Sequence, residues 1–293
     1  MAGKDLSEKK LEDYNDVFAD ILNTLLLKKD LILPSLLEDG PSESVYKAAE
    51  KNLRGQYRDT FKYYKKAGIM LAGFGMENET EEEDNMPVRV MGYDYSAYRA
   101  QIDKGGVRYP IITIVLNFSD KKWNKPIHLK DMLEIPEGMG KFVQDYKIIV
   151  FDIAFLPDKT ISQFKSTFKH VAHFFKNKRM LDKYQPLNEE IEHLEAFLDL
   201  LKVFTGDKKY EEIKYSLLER QKKGEVVTMC TVVEKFTNDG IQQGIQQGIQ
   251  QGIQQGGKQI ILNMYNKGCD VETISDLSGI SLDIVKKVVQ EKN

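Results

Sequence analysis

The chain is poor in several features, and each shortage limits what it can be. Two cysteines occur in 293 residues, Cys230 and Cys269, far apart and matching no zinc or redox spacing, so they read as reduced thiols. A net charge of −3 and a pI of about 5.9 leave no global positive field, so contact with nucleic acid has to come from local clusters. No segment approaches the roughly 20 apolar residues that span a bilayer. The opening Met1-Ala2-Gly3-Lys4-Asp5-Leu6 lacks the apolar stretch of a signal peptide. These two absences lead us to expect a cytoplasmic protein with no membrane partner. No glycine-rich phosphate loop follows a strand, and no serine sits in a nucleophile elbow.

What is present is an ordinary globular composition, 41% hydrophobic and 10% aromatic, enough core for one large domain or two smaller ones. Leu11, Tyr14, Phe18, Ile21, Leu22 and Leu25 recur at helical spacing and predict a helix over residues 7–29. Its other face carries Asp13, Asp16 and Asp20. A strand beginning near Asp59 runs through Phe61 and Tyr63 to a hairpin turn at Lys65-Lys66-Ala67-Gly68, and a second strand runs from Ile69 to Glu77. After an acidic loop, Met86-Pro87 opens a helix that extends to about Lys104. Residues 110–118 and 147–156 are nearly continuous apolar runs, expected as strands covered on both faces. Helix, hairpin, helix, strand, strand describes an α/β sheet flanked by helices. From Ile161 onward the pattern is helical: 161–178, 187–205, 208–222 and 226–238.

The acids at the end of the hairpin are what name a chemistry. Side chains alternate along a strand, so Glu77 and Glu79 share a face, and Asp59 reaches the same end from the neighbouring strand. Such an oxygen-rich set suits Mg²⁺ or Mn²⁺, which would activate water and neutralise a phosphodiester. The same residues also read as a solvated acidic hairpin end, because Glu81, Glu82, Glu83 and Asp84 follow at once.

The segments 16–23, Tyr57-Arg58-Asp59, Gly75-Met76-Glu77-Asn78-Glu79-Thr80 and Met86 to Asp94 resemble the recombination-promoting nuclease and putative transposase family of the PD-(D/E)XK superfamily. Tyr98-Arg99-Ala100-Gln101, Pro110 to Leu116, Trp123-Asn124-Lys125-Pro126 and Lys147 to Ile153 extend the resemblance over roughly residues 13–180. It implies a restriction-endonuclease-like core and metal-dependent cleavage of DNA. Asp59 matches the family's first catalytic aspartate, and Glu77 matches the glutamate of its Glu-x-Gln. Position 79 departs from the pattern, which has Lys across the superfamily and commonly Gln in this family. Lysine and glutamine donate hydrogen bonds where an ionised glutamate only accepts. Glu79 is thus either an additional metal ligand or the mark of a weakened enzyme. Asp16 and Asp20, on one face of the first helix, are candidates for a further metal ligand from that helix.

Other features weigh less. Arg89 and Gln101 are placed to touch phosphate or are surface polar residues, and Tyr93 and Tyr98 read as packing residues. His170 and His173, three apart, read as a helical pair. Lys165, Lys169, Lys176, Lys178, Arg179 and Lys183 form a basic stretch that reads either as a DNA-backbone contact or as a charged outer face. The repeat Gly-Ile-Gln-Gln, residues 240–255, is either a helix needing a partner surface, such as a second copy, or a flexible linker. Ile274, Leu277, Ile280, Ile284 and Val288 around Ser278-Gly279 suggest a helix-turn-helix-like tail, with Lys286 and Lys287 facing phosphate.

The reading is therefore a nuclease-like core over 1–180, a helical region over 181–239, the repeat over 240–257 and the tail over 258–293. The expected function is Mg²⁺-dependent DNA endonuclease, with Mn²⁺ as a substitute. Asp59, Glu77 and Glu79 are its candidate catalytic and metal-binding residues, and DNA and a second copy of the chain are its expected partners. The alternatives are a catalytically impaired DNA-binding or regulatory homologue and an assembly protein driven by the repeat.

Overall fold

The computed structural model describes residues 11–41, 43–47, 53–81, 83–178 and 184–290, without the side chains of 43–47, 53–57 and 239–254. The first amphipathic stretch supplies α1 (Asn15–Ile21) and then a π-helical turn over Leu22–Leu27, which ends at Lys28 with a φ of 55°. The expected single helix to residue 29 is corrected here, and Asn23 explains the irregular end. Its side chain leaves the helical pattern to accept from the Leu31 and Ile32 N–H groups and to donate to the Ile32 carbonyl. Val17, Phe18, Ile21, Leu22 and Leu25 are buried as their spacing demands.

A short β1 (Leu37–Asp39) follows, then a separate two-stranded ribbon of β2 (Glu43–Lys47) and β3 (Leu53–Tyr57). β4 (Thr60–Lys66) and β5 (Ile69–Glu79) form the expected hairpin. Ala67 and Gly68, with φ of 50° and 79°, supply the doubly positive turn that suits the twist of an antiparallel pair. α2 (Met86–Lys104) starts on Pro87 and stops at Gly105, whose φ is 71°. It carries the chain to β6 (Ile111–Asn117), parallel to β5, and later to β7 (Ile149–Asp152), parallel to β6. The five-stranded mixed sheet has the order β1-β4-β5-β6-β7. Ile114, Val115 and Leu116 are fully buried, so β6 is covered on both faces, which is why its sequence does not alternate.

The apolar run over 147–156 makes a shorter strand than expected. Ile153–Phe155 turns into a 3-10 helix that buries Ile153 and Ala154. The expected helix over 161–178 is divided into α3 (Asp158–Ile161) and α4 (Phe168–Asn177). Between them, Asp20 accepts from the Lys165 and Ser166 N–H groups, both at 2.8 Å, and from the Ser166 hydroxyl at 2.7 Å. α5 (Leu194–Thr205) and α6 (Lys209–Lys222) complete the helical layer. Phe118, at the end of β6, packs on Phe168, Phe175 and Phe204 and joins sheet to helices.

α7 (Met229–Asn266) runs without a break through the whole Gly-Ile-Gln-Gln repeat, so the backbone there is a helix and not a linker. The chain forms two compact units, Met1–Val232 and Val233–Asn293. In the second, Ile261 packs with Ile274 from α8 (Val271–Ser278) and with Val285 and Val289 from α9 (Leu282–Gln290). The Asp270 side chain caps α8 by accepting from the Thr273 N–H at 2.7 Å, and Gly279, φ 70°, ends it. This is the expected helical pair, with one correction. Val285 and Val289 form its core, while Leu277 and Ile284 are exposed. Among the described residues, no helix is long and apolar enough to cross a membrane.

Candidate active site

Strand register builds this site. Thr60 pairs with Met76, so one residue earlier Asp59 comes opposite Glu77 at the end of the hairpin. The Asp59 N–H points at Glu77 Oε1, 3.4 Å away, and the Asn78 N–H donates to Asp59 Oδ2 at 2.7 Å. Glu77 is fully buried, and Asp59 is 8% exposed. Burial holds the Glu77 carboxyl well above the usual carboxylate range, the Asp59 charge pushes it further, and Arg89 and Arg58 pull the other way.

Alternation along β5 then sorts the side chains by face. Glu77 and Glu79 both meet Arg89 of α2. Its Nη2 donates to Glu77 Oε2 at 2.8 Å, and its Nη1 donates to Glu79 Oε1 at 2.7 Å and to Glu83 Oε2 at 2.8 Å. Its Nε donates to the Tyr93 hydroxyl at 2.8 Å. Burial opposes the charge on Arg89, but Glu77 and its other partners outweigh burial and hold the guanidinium firmly protonated. Asn78 turns to the opposite face, where its amide donates to Glu12 Oε2 at 2.9 Å. Burial pushes the Glu12 carboxyl up to about 8 against that hydrogen bond, with the charges of Asp59 and Asp13 adding to the rise. Asp59 thus lies electrostatically between two buried acids.

A second buried ion pair fixes the segment that carries Asp59. Arg58 donates to Asp94 Oδ1 at 3.0 Å, and Asp94 also accepts from the Thr113 hydroxyl at 2.6 Å and the Tyr146 hydroxyl at 2.5 Å. The Arg58 guanidinium lies against the rings of Phe61 and Tyr93. Gly75 makes room for it, since a Cβ there would stand 2.7 Å from Arg58 Cδ.

The structure brings Asp59, Glu77 and Glu79 to one end of the sheet and adds Glu12, which the sequence reading overlooked. Asp16 and Asp20 bond elsewhere: Asp16 accepts from His193 Nε2, and Asp20 secures the turn before α4. Gln101 is no phosphate contact here, because its amide clamps both the N–H and the carbonyl of Tyr109. The Tyr98 hydroxyl accepts from the Ile111 N–H, and Tyr93 is buried, so both are packing residues. His170 is buried, with Nε2 facing the Glu190 carbonyl, and burial lowers the pKa of both His170 and His173. Lys165, Lys169, Lys176 and Lys178 pair with Asp30, Glu189, Asp158 and Asp120. Their charge is locally balanced, which favours the outer-face reading; Arg179 and Lys183 lie outside the described residues.

The donor chemistry fits a hard divalent cation. Adjacent carboxylates at Asp59 and Glu77 supply only oxygen, and their mutual repulsion is what a cation relieves. A family model described as "Putative transposase, YhgA-like" matches residues 49–202, which include Asp59, Glu77, Glu79 and Arg89. No curated protein and no solved structure matches the chain.

Proposed function

The chain belongs to the YhgA-like family of putative transposases, and on that premise we propose that it is a divalent-metal-dependent DNA endonuclease. The observation that carries this reading is the pairing of Asp59 with the fully buried Glu77 at the end of a mixed sheet. Burying two neighbouring carboxylates is unfavourable, and a bound cation would offset both their desolvation and their repulsion.

Asp59 and Glu77 would hold Mg²⁺ or Mn²⁺, which would supply Lewis acidity for hydrolysis of a phosphodiester. The chain's own residues do the rest. Asn78 fixes the Asp59 carboxylate through its N–H and the Glu12 carboxyl through its amide. Arg58, locked on Asp94, holds the backbone that presents Asp59. Arg89 balances Glu77 and Glu79 from the α2 side.

The test is nicking of supercoiled plasmid DNA by purified protein in Mg²⁺ and in EDTA. Cleavage in Mg²⁺ alone supports the reading. Salt-sensitive DNA binding without any cleavage would instead favour the non-catalytic homologue, a reading encouraged by the ion pairs that close Arg89 over Glu77 and Glu79.

A further inference from the structure

Outside the sheet end, three metal-ligating side chains converge: Asp16 on α1, and Glu192 and His193 just before α5. One ligand atom from each lies within 4.8 Å of the other two. His193 Nε2 faces both Asp16 oxygens, at 2.8 and 2.9 Å. The imidazole is held in that orientation. Tyr14 stacks on it with ring centroids 3.7 Å apart and planes 21° from parallel, and the His193 N–H donates to Thr167 Oγ1 at 3.1 Å. Glu192 is exposed and makes no hydrogen bond or ion pair among the described residues. Asp16 and Glu192 also line a cavity of about 290 Å³, together with Asp20, Asn23, Ile32 and Lys165.

We propose that Asp16, Glu192 and His193 form a second metal site, built for a borderline divalent ion of the Zn²⁺ class. The donor set decides the class. An imidazole nitrogen with two carboxylates suits Zn²⁺, whereas Mg²⁺ prefers oxygen alone in an octahedral shell. Ligand bonds of about 2.0 Å place tetrahedral donors roughly 3.3 Å apart, so only a small closing of Glu192 on the His193–Asp16 pair is needed. Three protein ligands leave a fourth position, and the cavity beside Asp16 and Glu192 gives it access to water or a small anion. The ion joins α1 to a segment 177 residues away, so it also acts as a staple within the first compact unit. None of its three ligands is one of the carboxylates at the sheet end.

The experiment is calorimetric titration of ZnCl₂ into the full chain in excess Mg²⁺, with thermal unfolding followed in parallel. One Zn²⁺ per chain is expected, with an unfolding midpoint that rises on loading. Glu192→Gln is the decisive variant, because its side chain is exposed and makes no hydrogen bond or ion pair among the described residues. It is expected to weaken Zn²⁺ binding by at least about tenfold without shifting the metal-free midpoint. His193→Gln is expected to abolish binding, and Cys230→Ser with Cys269→Ser to leave it unchanged. Absence of Zn²⁺ binding by the parent, or equal affinity in Glu192→Gln, would overturn the proposal. Neither result bears on plasmid cleavage, so it can fail while the endonuclease reading stands.

Discussion

Arg89 donates to Glu79 at 2.7 Å through Nη1 while Nη2 holds Glu77, so the glutamate at the variable position of the motif is charge-compensated from α2. That relationship recasts Glu79. It is not a bare negative charge, because the Arg89 guanidinium neutralises it. Arg89→Gln is therefore the damaging change at this end of the site. It leaves the fully buried Glu77 short of its main counter-charge and should cost on the order of 2–4 kcal/mol in chemical denaturation, discounted for the partial exposure of Arg89. Glu79→Gln should cost less than about 1 kcal/mol and leave any plasmid nicking intact or raised. A total loss of nicking in Glu79→Gln would make Glu79 a ligand instead.

Glu12 predicts a pH dependence of stability. Its folded pKa is raised from 4.5 to about 8, so between those values the folded chain binds a proton that the unfolded chain has lost. Stability from this group is complete below pH 4.5 and declines as pH rises through 8. Glu12→Gln keeps an acceptor for Asn78 and removes the titration. The variant should gain on the parent as pH rises from 5 to 9, by up to a few kcal/mol in urea melts at successive pH values. A parallel pair of curves would show that Glu12 is not buried as an acid.

The Arg58–Asp94 pair predicts a large, metal-independent loss. Asp94→Ala leaves Arg58 buried without a counter-charge and strands the hydroxyls of Thr113 and Tyr146, so about 3–5 kcal/mol should be lost. Gly75→Ala should cost about 1–3 kcal/mol by driving a methyl into Arg58. Unchanged denaturation midpoints in both variants would remove this anchor from the account.

How much of this was readable in advance depended on how local each cause is. The hairpin at Ala67-Gly68 and the limits of α2 were legible because Pro87 fixes its own φ and Gly68 and Gly105 readily take the positive φ that a turn or a helix end needs. The α/β class and the pairing of Asp59 with Glu77 followed from strand alternation. Glu12 was not legible. On sequence it is one more acid on an amphipathic helix, and its burial depends on Asn78, 66 residues away. Asp16 and Asp20 were singled out instead as possible metal ligands of the sheet end, yet their partners, His193 and Ser166, lie 177 and 146 residues along the chain. In the tail Ile274 is in the core and Ile280 and Val288 pack against it, as their spacing suggested, but Ile284 is exposed and the adjacent Val285 and Val289 take the buried positions.

The repeat makes a separate prediction. α7 keeps a glycine at every fourth position across 240–252, each costing about 1 kcal/mol relative to alanine. If those positions allow a second copy to approach, replacing Gly240, Gly244, Gly248 and Gly252 by Ala should raise helix stability but lower the mass measured by light scattering. An unchanged mass, together with an unchanged mass on deleting residues 240–255, would reject assembly through the repeat.

Plasmid nicking by the parent, Asp59→Ala and Glu77→Ala, each with and without Mg²⁺, tests the central claim most directly. Nicking is expected from the parent in Mg²⁺ and not in EDTA, with a loss of more than about 100-fold in either variant. Cleavage by both variants at the parent's rate would contradict it.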